Sequence, residues 1–137
     1  MKFIIRKPQK NLKLKKGCDL LKDNQLLDQS LSFAAHIIKL HDYLCKNKRE
    51  FIISKQIIRS ATSIGANINE ANYASSSPDF ISKMHIALKE CAETEYWLKL
   101  LQKADYISEK SSNELIGKCI SIKRMLVSTL NTIKSKK

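Results

Sequence analysis

EFIISKQIIRSATSIGANINEANYA, residues 50–74, decides the fold, because its apolar residues repeat at helical spacing along most of its length. The repeating positions are Ile53, Ile57, Ala61, Ile64, Ile68 and Ala71. Steps of three and four residues match the 3.6 residues per turn of an α-helix and not the alternation of a strand. Ile is common in strands, but the length and period of the run outweigh that preference. We therefore predict one amphipathic helix over residues 50–74.

Two further segments show the same period. Residues 27–46 predict a helix whose apolar face is formed by Leu27, Leu31, Ala34, Ile38 and Cys45, widened by Ile37, Leu40 and Leu44. A third helix follows the turn at residues 75–79, with Ser77 as its N-cap and Pro78 at its first position. It runs to about Ala104, and its core positions are Phe80, Met84, Ala87, Leu88, Cys91, Leu98 and Leu101.

The last predicted helix opens near residues 107–109, with Ser108 as its cap. Its main apolar stripe comprises Leu115, Cys119, Ile122, Leu126, Leu130 and Ile133. Ile116, Ile120 and Val127 form a second apolar row beside it. One row is enough to line a core, so we expect the second row to face a neighbouring subunit.

These four helices predict an all-α protein built as an antiparallel up-down-up-down four-helix bundle. Short connections make successive helices antiparallel neighbours. Only three Gly and two Pro are present, too few for a turn-rich all-β chain. We assign residues 24–137 to the bundle and residues 1–23, which show no sustained period, to a flexible basic N-terminal extension.

The positive charge is concentrated in the two ends of the chain. The net charge is +12, from 25 Lys and Arg against 13 Asp and Glu. Residues 1–23 hold eight basic and two acidic side chains, and residues 112–137 hold six basic and one acidic. Residues 24–111 are nearly balanced, with eleven basic against ten acidic. Charge of this size bears on partners and not on fold.

The four cysteines indicate a reduced, cytoplasmic protein. Cys18, Cys45, Cys91 and Cys119 are far apart and form no C-x-x-C pair. Three of them fall in apolar stripes, where a free Cys behaves as a small hydrophobe. No apolar run is long enough to cross a membrane, and no signal peptide is visible. We expect no membrane contact.

The usual enzyme motifs are missing. A di-iron bundle needs Glu-x-x-His pairs, and none occurs; no Gly-rich phosphate loop occurs either. The remaining candidates for acid–base chemistry are Glu90, Glu93 and Glu95, beside Tyr96 and Trp97. We favour a solvated helix face for them, with Lys89 and Lys99 placed for i,i+4 ion pairs. We therefore expect no catalytic residue, no metal and no cofactor.

A polar stripe accompanies the Ile stripe of residues 50–74. Its members are Gln56, Ser60, Ser63, Asn67 and Glu70. One interpretation is a solvent face; the other is a buried network, which would fix helix register and oligomeric state. Ala61 and Gly65, four residues apart, predict that another helix approaches closely at that level.

Several motifs resemble one bacterial family. They are SATSIGANINEA at residues 60–71, DFISK at 79–83, IALKE at 86–90 and ETEYWL at 93–98. In this order they resemble the bacterial four-helix bundle proteins, also called large-subunit rRNA intervening-sequence proteins. The resemblance covers about residues 24–135, and residues 1–23 have no counterpart in it.

The resemblance implies an antiparallel four-helix bundle that assembles as a ring-like homopentamer. It also implies kinship to the accessory variability determinant proteins of diversity-generating retroelements. Those are basic pentameric barrels that bind nucleic acid and a reverse transcriptase. The family offers no catalytic residue to carry over, and its matching positions Ser63, Gly65, Asn67 and Glu70 are expected to be structural.

Two functional hypotheses follow. The first is a homo-oligomeric module that binds RNA or DNA through phosphate contacts. Its candidate residues are Lys13, Lys15, Lys16, Lys118, Lys123, Arg124 and Lys134. The second is a scaffold or accessory subunit that recruits a partner such as a polymerase-type protein, with no nucleic-acid contact of its own. An enzyme is the least favoured hypothesis.

Overall fold

The computed structural model describes residues 25–135, and four α-helices account for most of them. They are α1 (Gln25–Asn47), α2 (Ile53–Ala71), α3 (Ser77–Lys103) and α4 (Glu109–Ser135). No strand occurs between residues 25 and 135, so the predicted all-α class is confirmed. The predicted flexible extension, with Lys13, Lys15 and Lys16, lies outside the described residues.

Each helix packs against its neighbours in the chain, and α4 returns to α1 to close the bundle. Contacts between helices occur at Ser30 with Gly65, Ser60 with Thr94, Leu98 with Ser112, and Gln29 with Ser121. The seam between α1 and α4 is the most thinly packed of the four. The up-down order places the start of α1 and the end of α4 at the same end of the bundle.

The predicted core faces of α2, α3 and α4 point into a single core. The buried apolar side chains of these three helices include Ile57, Ile64, Ile68, Phe80, Met84, Cys91, Leu98, Ile122, Leu126 and Leu130. Ile53, Leu88, Leu115 and Ile133, also predicted there, are half-buried at its edge. The periodicity therefore identified the inward face of three helices.

The main row predicted for the inward face of α1 was wrong, whereas Ile37 and Leu44, predicted to widen that face, are buried. Leu31 and Ile38 are 59% and 51% exposed, while the buried face passes through Leu26, Phe33, Ile37 and Leu44. Two apolar rows run along this helix, and the period alone cannot tell which one faces inward. The row through Phe33 carries four large apolar side chains, so burying it removes more apolar surface from water.

The start of α2 also differs from the prediction. The helix begins at Ile53 and not at Glu50, because the Glu50 carboxylate caps it from outside. That carboxylate accepts hydrogen bonds from the backbone N–H groups of Ile52, Ile53 and Ser54, at 3.0, 2.8 and 2.7 Å. Burial alone would raise the pKa of Glu50, but these backbone hydrogen bonds outweigh it and hold the pKa below its ordinary value.

The caps of α3 and α4 are serine hydroxyls. The N-cap of α3 is Ser76 and not Ser77, since Ser76 Oγ accepts from the backbone N–H of Asp79 at 3.2 Å. Both serines precede Pro78, so the sequence pattern alone could not separate them. For α4 the predicted cap is confirmed: Ser108 Oγ accepts from the N–H of Ser111 at 3.1 Å.

Candidate nucleic-acid interface

The predicted basic residues of α4 differ in their surroundings. Lys118, Arg124 and Lys134 are exposed. Lys123 is half-buried, and its Nζ lies 3.8 Å from a carboxylate oxygen of Glu95. The charge of Lys123 is therefore partly balanced within the bundle, whereas Arg124 and Lys134 have no carboxylate partner among residues 25–135.

Arg124 lies in a shallow, open groove on the last turns of α4, which we call the α4 groove. Its volume is about 510 Å³, and it is lined by Arg124, Val127, Ser128, Asn131, Thr132 and Ser135. No carboxylate of the described residues lines it. Arginine, serine, threonine and asparagine side chains are common donors to phosphate oxygens. The hydroxyls of Thr132 and Ser135 donate to backbone carbonyls, bonds that a hydroxyl at the surface can exchange for a ligand.

Lys118 lies in a different groove, between α1 and α4. This second groove has a volume of about 490 Å³, and its lining includes the carboxylates of Asp28 and Glu114. Lys118 Nζ is 3.3 Å from His36 Nε2. Two carboxylates beside one lysine would repel a polyanion from this groove. Lys118 and Arg124 therefore do not share one binding surface.

The α4 groove lies at the end of the bundle where both chain ends attach. Residues 1–24 precede Gln25 and carry eight Lys or Arg against two Asp or Glu. Lys136 and Lys137 follow Ser135. The up-down topology therefore joins the two most basic stretches of the chain to the same end of the molecule.

The polar stripe of α2 is divided between core and surface. Ser60 is fully buried, and its hydroxyl is 2.8 Å from Thr94 Oγ1 on α3. Ser63 and Asn67 are half-buried and bond to backbone carbonyls of their own helix. Gln56 and Glu70 are exposed, and Glu70 pairs with Lys83 at 3.5 Å. Each of the two interpretations thus describes part of the stripe.

Gly65 marks a close approach between α1 and α2. A Cβ atom added at Gly65 would lie 3.1 Å from the hydroxyl oxygen of Ser30. Ala61, one turn earlier, is also fully buried. The two positions hold helices together and are closed to a ligand.

The three glutamates of α3 form ion pairs with basic side chains of the protein. Arg59 of α2 bonds to Glu90 at 3.2 Å and also to Glu93, and Trp97 Nε1 donates to Glu93 at 3.2 Å. Lys99 pairs with Glu95 at 3.5 Å, as predicted from their spacing, but the other predicted pair, Lys89 with Glu93, does not form within residues 25–135. The sequence did not reveal the Arg59 bridge, because its partners lie on another helix. These carboxylates serve as ion-pair partners across helices.

The buried cysteines are poorly suited to nucleophilic chemistry. Cys91 and Cys119 face each other across α3 and α4, and Cys119 Sγ donates to the Cys91 carbonyl at 3.3 Å. The adjacent Cys119 thiol and burial both raise the pKa of Cys91 well above its usual range. Residues 25–135 contain no group of three or more metal-ligating side chains. No helix in this range is long and apolar enough to span a bilayer.

Comparisons with known proteins agree with the architecture. A family model described as 23S rRNA-intervening sequence protein matches residues 22–128. A crystal structure of a protein of unknown function from the S23 ribosomal protein family, from Bacteroides thetaiotaomicron, is similar with a TM-score of 0.79 and 47% sequence identity. The alignment covers 80% of this chain and 98% of that one. No curated protein gives a significant match. The chain therefore belongs to the family of 23S rRNA-intervening sequence proteins.

Proposed function

We propose that this protein is a non-enzymatic, cytoplasmic, homo-oligomeric module that binds RNA or DNA through its basic surfaces. The observation that carries the proposal is the α4 groove. Among the described residues, its lining combines the guanidinium of Arg124 with uncharged hydrogen-bonding side chains and no carboxylate. It also lies at the end of the bundle to which both basic chain ends attach. The bound element is the phosphate backbone, so we expect weak sequence preference and steep salt dependence.

The assembly we propose is the ring-like homopentamer of the related barrels. The exposed apolar side chains Leu31 and Ile38 on α1 support an interface between copies, since apolar rows of this kind favour burial against protein. Repeating one α4 groove on every subunit would raise the affinity for a long polyanion, because each subunit adds a binding site on the same assembly.

The nucleic-acid proposal is tested by titrating labelled structured rRNA fragments at a series of salt concentrations. Replacing Arg124 and Lys134 together by Ala should weaken binding. It should also reduce the slope of log affinity against log salt by about 0.9 for each duplex phosphate that these two side chains neutralise. The matched control replaces Lys39 and Lys89, which are also exposed but lie on α1 and α3.

Two outcomes would count against the nucleic-acid proposal. The wild-type protein would bind none of the fragments even at low salt, or the two double variants would show the same decrease in affinity. The second result would mean that nucleic-acid affinity depends on the net charge of the protein and not on a defined binding surface.

Assembly is tested by light scattering after size exclusion. The wild-type mass should approach five chains of 15.7 kDa, and replacing Leu31 and Ile38 by Glu should reduce it while the helical content is retained. Ser32→Glu with Lys39→Glu, on exposed neighbours, is the control. A monomeric wild-type mass would exclude the ring.

A second candidate function is a protein-binding accessory subunit for a polymerase-type partner. The second apolar row of α4, which we predicted to face a neighbouring subunit, supports it through Val127, which is 38% exposed, whereas Ile116 packs against the core and Ile120 is half-buried. Retained assembly without any RNA or DNA binding would point to this candidate.

A further inference from the structure

The loop between α1 and α2 presents two large apolar side chains to solvent. Phe51 is 54% exposed and Ile52 is 74% exposed. A single exposed apolar side chain is ordinary on a protein surface. Two adjacent ones in a connecting loop, at the opposite end of the bundle from the α4 groove, are not accounted for by the core or by the proposed function.

This loop is held in one conformation. Arg49 has a φ of 51°, in the left-handed region that few non-glycine residues adopt. The N–H of Glu50 donates to the carbonyl of Leu44 at 3.0 Å, and Ser54 Oγ donates to the carbonyl of Glu50 at 2.8 Å. Together with the Glu50 cap on α2, these bonds hold the backbone at Phe51 and Ile52 in place. A backbone that is already ordered loses little conformational freedom when it binds a partner.

The exposed charged side chains of residues 48–55, the loop and the first turn of α2, are all positive. Lys48, Arg49 and Lys55 are exposed, and none forms an ion pair with a carboxylate in residues 25–135. The one carboxylate of the loop, Glu50, is 8% exposed and turned toward the backbone of α2. An incoming anion therefore meets three exposed cations and an aromatic ring, and the loop has no exposed carboxylate that would repel it.

We propose that this loop binds single-stranded nucleic acid, with Phe51 stacking on a base and Lys48, Arg49 and Lys55 contacting the flanking phosphates. Aromatic stacking combined with a cationic backbone contact is how proteins hold unpaired strands. A duplex keeps its bases covered, so the ring would have nothing to stack on. The class of ligand, nucleic acid, is taken from the proposed function, and the inference rests on it in that respect. The loop would be a second site, separate from the α4 groove.

A lipid bilayer is the other surface that attracts apolar side chains flanked by cations. The loop offers only two apolar side chains, and Phe51 is about half covered by its own protein. Even a whole acyl chain anchors a protein only marginally. One partly exposed ring and one Ile therefore suit a base better than a membrane.

The test uses the full chain and compares single-stranded oligouridine with a blunt-ended duplex of similar length, by fluorescence anisotropy. Phe51→Leu keeps an apolar side chain but removes the aromatic face. We expect its affinity for the single strand to fall about tenfold, within the range measured for stacked bases, and its affinity for the duplex to stay unchanged. Phe51→Trp should retain single-strand binding. Tyr96→Ala, at another exposed aromatic, is the control.

The outcomes separate this inference from the proposed function. If wild-type protein binds RNA and Phe51→Leu binds the single strand equally well, the loop site is wrong and the proposed function stands. If wild-type protein binds neither RNA, both fail. Co-sedimentation with phosphatidylserine vesicles provides the third comparison. Vesicle binding that requires Phe51 and Ile52, with single-strand binding unchanged, would overturn the inference in favour of a membrane contact.

Discussion

At the scale of single residues, Glu50 is the side chain with the clearest energetic role. Its carboxylate accepts three backbone hydrogen bonds at the start of α2, and their combined effect lowers its pKa. A group whose pKa is lower in the folded state stabilises the fold above its unfolded pKa, and this stabilisation disappears as the pH falls through the folded pKa.

We expect Glu50→Gln to lower the free energy of unfolding by about 1–2 kcal/mol at neutral pH, the usual worth of an N-terminal cap. The difference from wild type should shrink as the pH falls below the ordinary value of 4.5, because the wild-type carboxylate then protonates. Urea unfolding at neutral and acidic pH measures both effects. Glu114→Gln, on an exposed glutamate of α4, is the control, and a pH-independent difference would contradict the capping role.

The two glycines within helices give opposite expectations. A Cβ at Gly117 meets no atom of residues 25–135 within 4 Å, whereas one at Gly65 meets the Ser30 hydroxyl at 3.1 Å. Gly117→Ala should therefore stabilise the protein by about 1 kcal/mol, the propensity difference within a helix. Gly65→Ala should show this gain only when Ser30→Ala removes the hydroxyl. A double-mutant cycle from thermal unfolding tests the coupling, and additive effects of Gly65→Ala and Ser30→Ala would contradict it.

At the scale of elements, the α1–α2 loop combines strain with exposure. A non-glycine residue in the left-handed region costs about 1 kcal/mol or more. Arg49→Gly should therefore raise the free energy of unfolding by about that amount, while reducing affinity for a single strand. Asp105, with a φ of 65° between α3 and α4, is the matched control: Asp105→Gly should stabilise the fold without changing RNA binding. Unchanged single-strand affinity in Arg49→Gly would remove Arg49 from the loop site.

The elements also show what could be predicted from sequence. α2 and α3 each carry a single apolar row, and in α4 the longer of two rows faces the core, so these inward faces followed from periodicity. α1 carries two rows, and the choice between them depends on how the other three helices pack. The bridge from Arg59 to Glu90 and Glu93 joins residues far apart in sequence, which local spacing cannot pair.

The candidate site was only partly predicted, for a different reason. Composition located the basic excess near the end of α4 and named Arg124 and Lys134. It did not single out Ser128, Asn131 and Thr132, which lie on the same face of α4 as Arg124, because these uncharged side chains contribute nothing to a charge pattern. The Phe51 loop was missed because its exposure depends on where α2 begins.

At the scale of the whole molecule, the four seams of the bundle are unequal. α2 and α3 are joined by the Arg59 bridge, the Ser60–Thr94 hydrogen bond and the Glu70–Lys83 pair. The seam between α1 and α4 is thinly packed and has an open groove along it. We therefore expect the fold to open first at the seam between α1 and α4.

The unequal seams imply a hierarchy in local unfolding. Amide hydrogens at the centres of α2 and α3 should exchange with solvent most slowly, and those of α1 and α4 should exchange faster, because these two helices share the most thinly packed seam of the bundle. Hydrogen–deuterium exchange followed by mass spectrometry reads this order directly, and uniform protection of all four helices would contradict it. The native protein would then spend part of its time with α1 detached from α4.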